Sequence, residues 1–267
     1  MRPLYEITEE VKALAKEVGA FIREQRSCFS LDRVEVKGSH DYVSYVDKES
    51  ERMIVKRLKT ILPEAAFVTE EQTTENDADA DLTWIVDPLD GTSNFVHGMA
   101  PYCVCIGLRD REEVLVGVVY EVVADELFWS YKGAKAYVND KEIQVGQAQT
   151  VNDAFICIGY PYNVADWKPF LLKLVDRLYG NSISIRNLGS AQAEICYVAC
   201  GRFDAYIESY IKPWDVTAGS IILKNAGGFM TDYSGGRRWE SGEEALATNG
   251  LIHQEMIDLC REVKSEL

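Results

Sequence analysis

Read as a pattern of apolar and polar positions, the chain opens with a helix. From Thr8 to Arg26 the apolar side chains fall at Val11, Leu14, Ala15, Val18, Phe21 and Ile22. That spacing of three and four puts them on one face, with acids at the start and arginines near the end. A second such pattern predicts a helix from Val46 to Leu62, buried through Met53, Ile54, Leu58 and Ile61 and stopped by Pro63. Short apolar runs then take over. Phe67 to Thr69 and Leu82 to Val86 predict strands on either side of the acidic stretch Glu75 to Asp81, which reads as a solvated loop. Tyr102 to Leu108, Val114 to Val123 and Leu127 to Tyr131 predict an antiparallel meander, with turns at Asp110 to Glu112 and near Asn139 and Asp140. Past about residue 150 the rhythm becomes an alternation of strands (Ala154 to Ile158, Ser182 to Ile185, Ala205 to Ser209) and helices (Trp167 to Tyr179, Ser190 to Cys200, Asp215 to Asn225). Gly227 and Gly228 close the last of these, followed by a hairpin and a final helix after Asn249. The expectation is an α+β N-terminal part, residues 1–147, and an α/β C-terminal part, residues 148–267.

Composition narrows the class. Hydrophobic residues make up 47% and charged residues 27%, so a sizeable buried core is expected. Lys and Arg number 28 against 43 Asp and Glu, a formal net charge of −15 that disfavours direct contact with nucleic acid or an anionic membrane. No apolar run approaches the ~20 residues of a membrane helix, and Met1 to Glu10 lacks the basic-then-apolar order of a secretory signal. The expected location is the cytoplasm. The seven cysteines lack CxxC pairs and mostly sit in apolar segments, and only His40, His97 and His253 are available beside them. This argues against a disulfide framework and a zinc site.

Candidate chemistry concentrates behind the strand Leu82 to Val86, in Asp87, Pro88, Leu89, Asp90, Gly91 and Thr92. Two carboxylates followed by a glycine and a hydroxyl residue set oxygen ligands beside free backbone N–H groups. Mg²⁺ and a phosphate ester together require both. By itself the run also reads as a type I turn closing a strand. Glu70 and Glu71 stand at the end of another strand, and Trp214 with Asp215 opens a helix. Taken singly, these pass for solvated acids and a helix cap. Their joint occurrence at the rigid ends of apolar segments favours one shared site. The chain has no GxSxG, HExxH or Walker motif, and His97 reads as structural, because oxygen-ligated magnesium does not call for imidazole.

The run Trp84 to Gly98 (WIVDPLDGTSNFVHG), with Glu70 and Glu71 ahead of it and Trp214 to Gly228 (WDVTAGSIILKNAGG) far behind, resembles the Mg²⁺-dependent, lithium-sensitive inositol monophosphatase family. The likeness covers essentially the whole chain, including Lys37 to Asp47. It implies a layered αβαβα sugar-phosphatase fold and hydrolysis of a phosphate monoester without a covalent intermediate. By the same resemblance Glu70, Asp87, Asp90, Asp215 and the Leu89 carbonyl would hold two Mg²⁺ ions, with a third, weaker one near Glu70 left open. Gly91 and Thr92 would bind the phosphate, and Thr92 with Asp47 would orient the attacking water. Ser190, Ala191 and Glu208 would line the pocket for the alcohol. Glu208 suits a polyol, since an ionised carboxylate only accepts hydrogen bonds. The implied substrate is a small phosphorylated polyol, inositol 1-phosphate first. The same scaffold also serves 3′(2′),5′-bisphosphate nucleotides, fructose 1,6-bisphosphate and histidinol phosphate. The family is commonly a homodimer. Ser44 departs from the usual Thr of the family's Asp-x-Val-Thr pattern (here Asp41 to Ser44), which keeps the hydroxyl but bears on the rigidity of the loop Lys37 to Ser44. A reading from another class is a regulatory binding protein that keeps the fold, since bacterial relatives of this family have transcription-associated partners.

Overall fold

The structure, a computed structural model, describes residues 2–29, 34–38, 41–161 and 164–267. The first helix, α1, spans Leu4–Ser27 and starts four residues earlier than its apolar pattern suggested. Pro3 precedes it, where a missing N–H costs nothing, and Ile7 is buried on the same face as Val11 and Leu14. A hairpin of β1 (Val34–Gly38) and β2 (Asp41–Ser44) follows, where a loop was expected. Ser39 and His40 lie outside the described residues, as does Met1. Helix α2 (Tyr45–Ile61) is capped by Ser44, whose hydroxyl accepts the Val46 N–H at 3.1 Å. The Ser that departs from the family pattern therefore still does a cap's work.

A seven-stranded sheet is built from β3 (Ala66–Thr69), β4 (Leu82–Asp90), β5 (Cys103–Asp110), β6 (Val114–Glu121), β7 (Glu126–Tyr131), β8 (Tyr137–Val138) and β9 (Lys141–Glu142), in that spatial order. Only β3 and β4 run parallel, and the rest is the expected meander. Strand β4 runs on to Asp90, so Asp87 to Asp90 is a bulged strand end paired with β5 and not a turn after the strand. The short α3 (Thr92–His97) leaves it directly.

A five-stranded mixed sheet has the order β11-β10-β12-β14-β13, from β10 (Phe155–Ile158), β11 (Ser184–Arg186), β12 (Ala205–Ser209), β13 (Phe229–Thr231) and β14 (Glu244–Thr248). Helices α4 (Val164–Leu178), α5 (Ala191–Ala199), α6 (Thr217–Asn225) and α7 (His253–Ser265) complete the chain. Asp215 does not open α6. It closes a short 3₁₀ turn, Pro213–Asp215, one residue before that helix begins.

The layers follow from which faces are apolar. Helices α1 and α2 cover one face of the large sheet, α5 and α6 lie between the sheets, and α4 with α7 covers the outer face of the small sheet. This is the layered αβαβα arrangement. The contact that sets the inner spacing is made by two glycines. Gly107 and Gly117 are cross-strand partners on β5 and β6. A Cβ on Gly117 would lie 2.2 Å from the Ala218 carbonyl, and one on Gly107 would lie 2.9 Å from the Thr217 methyl. The start of α6 thus rests on bare sheet backbone, which carries the 3₁₀ turn with Asp215 up to the end of β4. Among the described residues, no helix is long and apolar enough to cross a membrane.

Candidate active site

The acidic groups marked out in the sequence meet at one cavity of about 300 Å³. Glu70 follows β3, Asp87, Leu89 and Asp90 end β4, Gly91 and Thr92 open α3, Ser190 and Ala191 start α5, Glu208 lies on β12, and Asp215 ends the 3₁₀ turn. All of these line the cavity. Asp47 stands behind it and His97 is exposed at the end of α3. Six carboxyl side chains line the space (Glu70, Asp87, Asp90, Glu194, Glu208 and Asp215), and the described lining residues include no lysine or arginine.

Burial without a facing cation shows in the protonation equilibria. Asp87 is held well above the usual carboxylate range, first by burial and then by the charges of Glu70, Asp90 and Asp215. Asp215 is raised well above it by burial, Glu70 and Asp90. Burial lifts Asp90 too, but to about 6 only, because several donors hold its ionised form. Its Oδ2 accepts the Ser190 hydroxyl at 2.6 Å and the Gln192 N–H at 2.8 Å, and its Oδ1 accepts the Ala191 N–H at 3.2 Å. Ser190 stands at the N-cap position of α5, and the carboxylate that takes up the free N–H groups there is that of Asp90, a hundred residues away in sequence. The Ser190 hydroxyl, expected to face the alcohol, is spent on Asp90.

Thr92 and Asp47 form the expected pair. The Thr92 hydroxyl lies 2.8 Å from Asp47 Oδ1 and 3.0 Å from the Leu89 carbonyl. Asp47 is in turn fixed through Oδ2 by the Ser44 N–H (2.9 Å) and Ser44 hydroxyl (2.6 Å). Burial raises its pKa while these bonds pull it back.

Several residues that position the site were not singled out in the sequence. Glu51, one turn beyond Asp47 on the buried face of α2, accepts four hydrogen bonds from the segment around Glu70. The helical period could have revealed it, because Asp47, Glu51, Ile54 and Leu58 share one stripe and a charged side chain on it needs partners. Gln192 donates to the Trp214 carbonyl at 2.7 Å and accepts the Gly219 N–H at 2.7 Å, tying α5 to the turn that carries Asp215. Glu194, buried on α5, accepts the Leu188 N–H, and burial together with the charge of Glu208 raises it to about 8. Glu208 itself is raised to about 7 by burial, against the pull of the Tyr206 hydroxyl, which donates at 2.6 Å. Gly159 leaves room for Glu208, since a Cβ there would lie 2.0 Å from its Oε2. Of these, Glu208 was among the expected pocket residues; no local sequence signal announces Gln192, Glu194 or Gly159, which depend on which strands and helices become neighbours.

The donor set suits a hard divalent cation: the described lining residues offer carboxylate oxygens and backbone carbonyls and include no Cys, Met or His. The Asp87 and Asp215 carboxylates each accept one backbone N–H, from Leu89 at 2.9 Å and Lys212 at 2.6 Å, and keep further lone pairs. Among the described residues, no three His, Cys, Asp or Glu side chains are set closely enough to hold an ion as they stand.

Comparison with known proteins covers nearly the whole chain. Residues 4–265 match the inositol monophosphatase family. The fructose-1,6-bisphosphatase/inositol-1-monophosphatase of Thermotoga maritima is 35% identical over 238 residues, 89% of this chain and 90% of that one. The Nus factor SuhB of Pasteurella multocida is 33% identical over 223 residues, 84% of each chain. Among solved structures, the extragenic suppressor protein suhB of Bartonella henselae superposes with a TM-score of 0.88 at 30% identity, covering 98% of this chain and 100% of that one. An IMPase of Thermotoga maritima superposes with a TM-score of 0.86 at 32% identity, covering 96% and 97%.

Proposed function

The chain belongs to the inositol monophosphatase family, and from that premise we propose that it is a Mg²⁺-dependent phosphate monoester hydrolase acting on a small phosphorylated polyol, inositol 1-phosphate foremost. The observation that carries this reading is the gathering of Glu70, Asp87, Asp90 and Asp215 around one cavity beside the Thr92–Asp47 pair. In this reading Glu70, Asp87, Asp90, Asp215 and the Leu89 carbonyl hold the magnesium, which supplies Lewis-acid activation of water and neutralises charge on the phosphate oxygens.

The chain's own residues do the rest. The backbone N–H groups of Gly91 and Thr92, at the start of α3, bind the phosphate oxygens. The Thr92 hydroxyl, donating to Asp47, presents its lone pairs to the attacking water and relays the proton toward the buried carboxylate. Asp90 and Gln192 hold α5 and the Asp215 turn in register, so the donors are in place before substrate arrives. Glu208, kept in place by the space above Gly159, accepts hydrogen bonds from the substrate's hydroxyl groups.

Phosphate release from a panel of esters tests this directly. Inositol 1-phosphate should be hydrolysed with the highest kcat/KM, ahead of fructose 1,6-bisphosphate, histidinol phosphate and 3′-phosphoadenosine 5′-phosphate, and EDTA should abolish release. A bisphosphate that wins would reassign the substrate, and release that survives EDTA would remove the metal reading. The Nus factor relatives favour a second role, a transcription-associated protein partner. A pull-down with the Asp90→Asn protein separates it from catalysis, because a partner retained by an inactive enzyme does not depend on turnover.

A further inference from the structure

We propose that Glu51 is a positioning residue for the metal site: it seats its carboxylate in a backbone nest that fixes Glu70 on either side. The inference rests on the reading of Glu70 as a metal ligand and extends it to a residue that touches neither metal nor substrate.

Glu51 is wholly buried on α2. Its Oε2 accepts the Glu71 N–H at 2.7 Å. Its Oε1 accepts the Thr73 N–H and hydroxyl, both at 2.7 Å, and the Thr69 hydroxyl at 3.0 Å. Between the two N–H donors lies Gln72, in the left-handed region at φ 51°. Successive N–H groups turned inward by such a residue make a concavity for an anion, and here the anion is a side chain of the same protein. The residues flanking Glu70, Thr69 and Glu71, are each bonded to a different oxygen of Glu51. Glu70 itself, tethered through its N–H to the Val86 carbonyl at 3.2 Å, lines the catalytic cavity.

Asp47 stands one turn earlier on the same helix face, about 6 Å along the axis, and holds Thr92 at 2.8 Å. Helix α2 thus carries two buried carboxylates at i and i+4, one gripping the Glu70 segment and the other the Thr92 hydroxyl. A rigid helix between them sets the distance between the metal-holding and water-orienting halves of the site. Four donors saturate Glu51, so a glutamine cannot replace it: an amide has one acceptor oxygen, and its NH₂ would face an N–H or hydroxyl donor.

The test is Mn²⁺ binding followed by electron paramagnetic resonance, alongside the Mg²⁺ dependence of phosphate release. Glu51→Gln should weaken Mn²⁺ binding about 10- to 100-fold, the range for groups that orient a metal's ligands, and the Mg²⁺ needed for half-maximal rate should rise in step. Hydrogen exchange should quicken at the amides of residues 70–74 before it quickens elsewhere. Thr73→Val removes one of the four bonds and leaves the carboxylate in place, so it carries the test if Glu51→Gln does not fold. It should weaken Mn²⁺ binding about threefold, and Thr73→Ser should restore it. Wild-type affinity in both Glu51→Gln and Thr73→Val, or exchange that quickens uniformly over the whole chain, overturns the positioning role while leaving Glu70 a ligand. A wild-type protein that binds no Mn²⁺ overturns the metal reading itself, and this inference with it.

Discussion

Replacing Glu194 by glutamine should stabilise the metal-free protein at high pH and do little at low pH. Glu194 is 1% exposed, and burial with the charge of Glu208 raises its pKa from 4.5 to about 8. In the unfolded chain the proton leaves near 4.5, in the folded chain near 8. Between those values the folded protein holds more protons than the unfolded one, so stability falls as pH rises through that window. At about 1.4 kcal/mol per pH unit, the full displacement would amount to on the order of 5 kcal/mol if Glu194 titrated alone. It shares the effect with Glu208, which is itself raised to about 7, so part of the cost belongs to the pair. Glutamine has nearly the same shape, carries no charge and keeps an oxygen for the Leu188 N–H. The variant should therefore gain about 2–4 kcal/mol at pH 8.5 and within about 1 kcal/mol at pH 5. Urea unfolding in EDTA at several pH values measures this. A difference between variant and wild type that stays constant from pH 5 to pH 8.5 would refute the reasoning, because Glu194 would then be ionised in the folded protein throughout, as it is in the unfolded chain.

Four further outcomes follow, three from the site's geometry and one from the family. Thr92→Val keeps the shape but removes the bonds to Asp47 and Leu89, so kcat should fall at least about 100-fold while Thr92→Ser stays near wild type; a fully active valine variant in the release assay would exclude the hydroxyl from the chemistry. Gly159→Ala drives a methyl into Glu208, which should cost about 1–3 kcal/mol in urea unfolding and shrink the preference for inositol 1-phosphate, as Glu208→Gln should; an unchanged preference in both would remove Glu208 from recognition. Asp90→Asn relieves repulsion but spoils the cap on α5, so its metal-free melting temperature should move by only a few degrees, whereas Mg²⁺ should raise the wild type's and not the variant's; equal gains from Mg²⁺ would show that Asp90 is not part of a metal site. LiCl should slow the wild-type release rate relative to NaCl at equal ionic strength, and identical rates would count against the family's lithium sensitivity being inherited here.

What the sequence determined by itself is what depends on neighbours a few residues away. The helical stripes of α1 and α2, the meander from β5 to β7, the alternation after residue 150 and the motif from Asp87 to Thr92 are set by local periodicity and backbone chemistry. They could be read with boundaries off by a few residues. The exceptions fell where tertiary pairing overrides local preference: β4 continues through Pro88 to Asp90 because β5 pairs with it across a bulge, and Asp215 sits in a 3₁₀ turn because α6 must land on Gly107 and Gly117. Only the tertiary structure decided what surrounds the acids. Asp90 caps a helix it is not near in sequence, Glu51 is enclosed by a loop about twenty residues away, and Glu194 meets Glu208 because α5 packs beside β12. Charge, burial and hydrogen bonding act through space at a few ångströms, and a linear pattern records which groups are present but not which of them the folded chain forces together.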